Sequence, residues 1–367
     1  QSDLEKQAGS SGKKIILIDG SITIKPFGKE ISVKSNKTIR GVGAKSEIVS
    51  GGFRLINVSN VIVQNLTIRD FYLEGDWAGK KNDFDGFQMD NSHHIWIDHC
   101  HLTHGGDGLI DSRKGTTFLT VSWCILSNHN KAFGIGWTDK VETQITIHHT
   151  WFKKTNQRNP SGDNILRAHL YNNLLEDIKG YGNWARGGAN MIIENSVYKN
   201  VRNPHFVRQP TFGPKPTGSL KVTGCIYEKG VTGQKVMEFA KPFFNPKDHY
   251  DYILHPAEHV RSILTSCAGP QEDFDCENSS TDIKNSVSVL SSKPVISIKD
   301  KRFVLMNFSD SKPQEVSIYS SNGTLLYNKS GNIGKSTRWK ASRTGIFHIQ
   351  CIFNNGKVNT LKTLIID

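Results

Sequence analysis

Apolar and polar residues alternate through the first two-thirds of the chain in short segments that recur at near-regular intervals. Seven of them read VIVQNLTI from Val61, IWIDHCHL from Ile95, LTVSWCIL from Leu119, ITIHHTWF from Ile145, HLYNNLLE from His169, MIIENSVY from Met191 and LKVTGCIY from Leu220. Each begins with the period-two alternation of a strand that buries one face, passes through a polar turn and resumes as a second apolar stretch. The equivalent apolar positions are Val63, Ile97, Val121, Ile147, Leu170, Ile193 and Val222, spaced 34, 24, 26, 23, 23 and 29 residues apart. Such a spacing, with occasional longer gaps, suits one coil of a parallel β-helix: three short strands per coil, with insertions absorbed by loops on one face. Leucine-rich repeats would need their Leu/Asn consensus and propellers longer blades, and helical periodicity is scarce. The pattern predicts an all-β chain, a right-handed parallel β-helix followed by a small C-terminal β-sandwich. Cys100 and Cys124 occupy equivalent positions in successive coils and should stack. Turn asparagines should ladder from coil to coil.

After Pro246 the pattern changes. The segment YILHPAEHVRSILTSC, from Tyr252, reads as a tail with a short helix packed back on the coils. A polar, turn-rich stretch follows and reads as a linker. Short alternating strands then return, with Asn322-Gly323 and Asn355-Gly356 placed as hairpin turns. The expected organisation is a β-helix domain over 1–270, a linker over 271–284 and a β-sandwich over 285–367.

Composition alters this picture little. A net charge of +12 invites a polyanionic partner. The charge is uneven, however: residues 284–367 carry 13 Lys+Arg against 4 Asp+Glu, leaving 33 against 30 in the rest. The repeat region is nearly neutral, so only local clustering of its cations is informative. No apolar run is long enough to span a membrane. The N-terminal residues show no basic-then-apolar leader, which leaves open a protein that is not exported or one whose leader has been removed. Cys267 and Cys276 flank a short acidic loop and fit either a disulfide or free thiols.

The chemistry lies in the loops. Asp83 and Asp85 precede the strand containing Ile97, and Asp107 and Asp111 precede the strand containing Val121. In stacked coils, loops at equivalent points lie about 4.8 Å apart. Two acidic pairs therefore converge, and converging carboxylates with hard oxygen ligands suit Ca²⁺. Lys131, Arg158, Arg167 and Arg186 follow on the next coils, where cations beside a carboxylate-bound metal suit an anionic sugar chain.

Those residues, with the segments TIRGVG, FDGFQMDNSHHIWIDH, DGLID, TIHHTWF, QRNP, HLYNN and MIIEN in this order, resemble the pectate lyases of polysaccharide lyase family one. The resemblance spans roughly residues 30 to 270 and implies a secreted enzyme that cleaves polygalacturonate by Ca²⁺-assisted β-elimination. It implies calcium ligation by Asp83, Asp85, Asp107 and Asp111, a substrate-carboxylate contact from Lys131, a base in Arg158 and a substrate-binding arginine in Arg186. Asp98 and His99, in WIDH, are implied to be structural. The family's second arginine, five residues after the base, is here Asp163, and Arg167 is the expected substitute. The departure leaves room for a lyase acting on methylated pectin without calcium, or for a non-catalytic polyuronate-binding β-helix. The C-terminal segment resembles sorting domains of type IX secretion, with a carbohydrate-binding sandwich as the alternative. Polygalacturonate or pectin is the expected partner of a monomeric protein with no nucleic-acid ligand and no membrane span.

Overall fold

The computed structural model of the chain describes residues 1–208, 218–235, 238–239 and 242–272, and the strands of the C-terminal part between 295 and 365. Two compact units result, Gln1–Asp282 and Ile283–Asp367. Most of the expected linker lies outside the described residues.

The first unit is a parallel β-helix. Its 10-stranded sheet stacks nine parallel strands, from Lys14–Ile18 through Ser219–Thr223, with Glu238–Phe239 added antiparallel at the end. The predicted register holds at every step: Val63, Ile97, Val121, Ile147, Leu170, Ile193 and Val222 are direct cross-strand partners. Six of these seven are 0–1% exposed, forming one row of the core, and burying each such side chain contributes about 1.5–3 kcal/mol. The same row extends to Ile39 and Ile16, two coils earlier than the sequence repeat begins. A 16-stranded sheet supplies the other faces of each coil.

Each coil turns from one sheet into the other at a residue in the left-handed region. Asn65, His99, Trp123, His149, Asn172 and Asn195 occupy this corner, with φ of 62, 48, 52, 49, 51 and 42°. Asparagine tolerates that conformation better than most residues, which explains its place in the repeat. Where aromatic side chains take the corner they stack: His99 on Trp123 at 5.8 Å and Trp123 on His149 at 4.2 Å between centroids. His99 and Asp98 thus belong to a corner stack. The amide ladder appears elsewhere, in Asn60 to Asn36 and Asn91 to Asn57, each at 2.8 Å. Cys100 and Cys124 stack as free thiols.

Helix Ser2–Ala8 closes one end by burying Leu4 and Ala8. Helix Ala257–Cys267 lies on the outside, burying Ala257, Val260 and Leu264 against Trp123, Leu174 and Val197. Cys267 is disulfide-bonded, whereas Cys276 falls outside the described residues. The second unit contains a 3-stranded and a 4-stranded antiparallel sheet; its predicted Asn-Gly turns also fall outside the described residues.

Candidate active site

The 16-stranded sheet brings the candidate residues together coil by coil. Strands Phe87–Asp90, Gly108–Arg113, Ile125–Gly136, Ser161–Asp163, Asn183–Arg186 and His205–Arg208 stack in parallel. One continuous row across them runs Gln88, Asp111, Gly134, Ser161, Trp184, Phe206. Beside it the entry turns of the same coils form a rim, tied by backbone bonds from Asp107 N–H to Phe84 O at 2.8 Å, Phe133 N–H to Arg158 O at 2.7 Å and Asn159 N–H to Gly182 O at 3.1 Å.

Asp83 and Asp85 enter from the loop before Phe87–Asp90. That loop is folded on Asp76, whose carboxylate accepts the N–H groups of Lys80, Lys81 and Asn82 at 2.8, 2.9 and 3.2 Å. Asp107 lies at the start of the next coil, and one carboxylate oxygen each from Asp83, Asp85 and Asp107 lies within 4.8 Å of the others. Asp85 is fully buried. Its Oδ1 accepts the Gly108 N–H at 2.7 Å, but its Oδ2 has no hydrogen-bond partner among the described residues. Burial, followed by Asp111 and Glu30, raises its pKa well above the ordinary carboxylate range. A buried carboxylate with a donor-free oxygen, grouped with two further carboxylates, fits a hard divalent cation. Asp83, Asp85 and Asp107 are the residues that would hold it.

Asp111 is the fourth residue of the expected set. Its Oδ1 faces Arg158 Nη1 at 3.7 Å rather than joining the three-carboxylate cluster. Burial raises its pKa to about 7, although Arg158 pulls it down. That Oδ1 is itself buried with no hydrogen-bond partner among the described residues, and a Cβ on Gly108 would stand 2.7 Å from it and 3.0 Å from Asp85 Oδ1.

Lys131 occupies the next coil, with its ammonium against the Asp107 carboxylate and its side chain nearly buried. Arg158 follows on the coil after that, in the turn between Trp151–Gln157 and Ser161–Asp163, with φ 61°. Its guanidinium is 5.3 Å from the Trp137 ring, and Nη1 lacks a hydrogen-bond partner among the described residues. Gly134 makes room for this arrangement: a Cβ there would stand 2.5 Å from the Trp137 ring, 2.7 Å from Asp111 Oδ1 and 3.0 Å from Arg158 Nη1.

Arg186 comes next, over Trp184 at 4.9 Å, with Nη2 3.7 Å from Asp163. Asp163 and Arg186 are direct cross-strand partners, so the position expected to carry a second arginine instead faces an arginine from the following coil. Arg167 is not brought to this cluster. It lies on strand Ile165–Tyr171 of the 10-stranded sheet, where Nε and Nη2 donate to Gln144 Oε1 at 3.1 and 2.8 Å. There it lines a separate pocket of about 490 Å³ with Phe118, His148 and Tyr250. A corner explains the difference: at Asn164, with φ 55°, the chain turns from the 16-stranded sheet into the 10-stranded one and carries Arg167 to the other face.

Sequence reasoning missed two neighbours. Glu30 accepts the Asp85 N–H at 3.0 Å, and burial raises its pKa to about 7. Its coil precedes the recognised repeat, so no spacing pointed to it. Tyr181 lies one coil beyond Arg158. The same one-residue-per-coil progression could have found it.

A sequence model described as Pectate lyase matches residues 6–273. The pectate trisaccharide-lyase of Thermotoga sp. (strain RQ2) is 34% identical over 294 residues, covering 73% of this chain and 80% of that protein. Pectate lyase B of Dickeya chrysanthemi is 30% identical over 200 residues, covering 50% of this chain and 49% of its own length. Among solved structures, pectate lyase Bsp165PelA from Bacillus sp. N165, in complex with trigalacturonate, superposes with TM-score 0.60 at 24% identity, covering 73% of this chain and 91% of that one.

Proposed function

Because the chain belongs to the pectate lyase family and is a polysaccharide lyase, we propose that this cleft cleaves α-1,4-linked polygalacturonate by calcium-assisted β-elimination. The observation that carries the reading is the three-carboxylate cluster with its buried, donor-free oxygen, followed on successive coils by Lys131 and Arg158. A Ca²⁺ bound there supplies positive charge that offsets the ligands and polarises a uronate carboxylate. Lys131 binds that carboxylate, which acidifies the adjacent C5–H and stabilises the negative charge that develops as the proton leaves. Arg158 takes the C5 proton, the C4–O bond breaks, and a 4,5-unsaturated end forms. A guanidinium is ordinarily protonated well above neutral pH. Turnover through such a base should therefore rise on the alkaline side.

The test is ultraviolet absorbance of the unsaturated product, with polygalacturonate as substrate and with or without EDTA. Calcium-dependent absorbance is expected. Activity on methylated pectin that survives EDTA would remove the calcium role, and reducing ends without absorbance would indicate hydrolysis instead.

The protein is read as secreted, with residues 285–367 serving in sorting; the support is the sequence resemblance of that segment. Intact mass of enzyme from the culture medium checks this. Loss of the segment on export is expected, and a retained segment that binds pectin on its own would make it a binding module.

A further inference from the structure

Arg167, drawn away from the cleft, ends a row of side chains on the outer face of the 10-stranded sheet. The strand registers place Asn36, Asn60, His94, Phe118, Gln144 and Arg167 along that row, one per coil. The Arg167 guanidinium is anchored on Gln144 Oε1 and has no carboxylate partner among the described residues. We propose that this face is a second, non-catalytic binding site for an oligogalacturonate chain, resting for the choice of sugar on the lyase reading above.

The pocket of about 490 Å³ beside Arg167 has a sheet side of Thr120, Gln144 and Thr146 and a tail side of Phe244, His249 and Tyr250. The tail is fastened there. Tyr250 Oη accepts the Thr146 hydroxyl at 3.1 Å and pairs with His169 Nδ1, and Tyr252 donates to Glu194 at 2.7 Å. A second pocket of about 400 Å³ shares Phe118, Thr120 and His148 with the first and continues over Trp96 and His94. Each has the size of a small-ligand site, and together they form a furrow running across successive coils. That shape suits a linear chain.

The row itself marks the binding surface. Asn36, Asn60, His94 and Phe118 all take the left-handed region, with φ of 62, 58, 56 and 50°. Asparagine adopts that conformation at little cost, and Asn60 donates to Asn36 in the ladder at 2.8 Å. An aromatic side chain is strained there, yet Phe118 occupies the position with 50% of its surface exposed. His94 backs the ring at 4.9 Å between centroids. A ligand that covers the ring accounts for the choice, because the weakly positive C–H face of a sugar is attracted to the negative face of an aromatic. Two coils on, about 10 Å away, Arg167 offers the planar donor set that a carboxylate accepts. Among the described residues Asp251 is the one carboxylate lining the pocket; it is exposed, and solvent screens it, whereas Arg167 is half-buried. A neutral glycan would leave Arg167 unmatched, and a small acid would leave Phe118 bare. A galacturonate oligomer supplies both the C–H face and the carboxylate. Because cleft and furrow lie on different sheets, enzyme held on pectin by the furrow keeps its cleft open to another stretch of polymer.

The test counts trigalacturonate sites by titration calorimetry in calcium buffer, on the full chain carrying Arg158→Lys so that the sugar is bound but not consumed. Two trimers per chain are expected. Adding Arg167→Ala should leave one. Adding Phe118→Asn should do the same with thermal stability kept or raised, because asparagine suits the left-handed backbone and only the ring is lost. With Arg158 in place, both changes should leave kcat and KM on trigalacturonate within about twofold, as expected of distant sites. The methyl ester of the trimer should bind the furrow about tenfold more weakly, having lost the charged partner of Arg167. A single site that survives Arg167→Ala, two sites indifferent to both substitutions, or equal affinity for the ester would overturn the proposal. A single site lost with Arg167→Ala and indifferent to Lys131→Ala would keep the furrow and sink the lyase reading of the cleft.

Discussion

Two arginines only nine residues apart have opposite fates. Arg158 stands beside Asp111 with an unpartnered nitrogen among the described residues, whereas Arg167 is committed to Gln144 on the other sheet. Arg158→Lys should reduce turnover by about 100-fold or more while leaving oligogalacturonate binding largely intact, because a lysine keeps the charge but not the reach and geometry of the fork. Arg167→Ala should leave kcat and KM within about twofold. Steady-state kinetics on polygalacturonate, with direct binding of a trimer, check both; an Arg167→Ala collapse would return that residue to the site. The acidic pairs and Arg158 were legible because each lies in the loop before its coil's strand, within motifs that resemble those of a known family. Arg167 misled because linear distance from a motif does not report which face a strand presents.

Within the elements, the long strand Ile125–Gly136 sets the spacing of the site. It carries Lys131 at one end of its cleft-facing portion and Gly134 at the other, and it pairs with both the Gly108–Arg113 and Ser161–Asp163 strands. Gly134→Ala would force a methyl group to 2.5 Å from the Trp137 ring and 2.7 Å from Asp111 Oδ1, distances no relaxed Cβ adopts, and to 3.0 Å from Arg158 Nη1. A stability cost of about 1–3 kcal/mol is expected, with a larger proportional loss of turnover, since the Trp137 ring and Asp111, which must give way, are the groups that flank Arg158. Thermal melts and kinetics on the same variant separate the two effects; unaltered activity would show that Arg158 has slack. The β-helix could be read from sequence because its core row repeats with nearly constant spacing. The first two coils escaped because Ile16 and Ile39 sit in short strands without the longer motif, and Glu30 was lost with them.

At the scale of the molecule, two sets of buried groups titrate against each other. Burial depresses His101, His129 and His148 to about 4, His149 to about 2 and His205 to about 3. The folded state therefore binds fewer protons than the unfolded one below about 6.5, and stability falls as pH drops through that range. Glu30 and Asp111 act in the opposite sense. Raised to about 7, they make the metal-free fold lose stability as pH rises from about 4.5 toward 7. A bound cation cancels this second contribution. The rise in Tm on adding Ca²⁺ should be near zero at about pH 5 and largest above about pH 7. Calorimetry with and without EDTA measures it, and a calcium effect that shrinks with rising pH would contradict the assignment.

The one-residue-per-coil rim makes the solenoid a ruler with fixed graduations. Each graduation is a whole coil, about 4.8 Å, and cannot be subdivided without breaking the strand ladder. Duplicating a coil between Asp83 and Arg158 would separate groups that must act together. Duplicating one beyond Phe206 would only lengthen the cleft floor. Chain-length preference can thus drift by adding or losing coils at the far end while the chemistry stays in place.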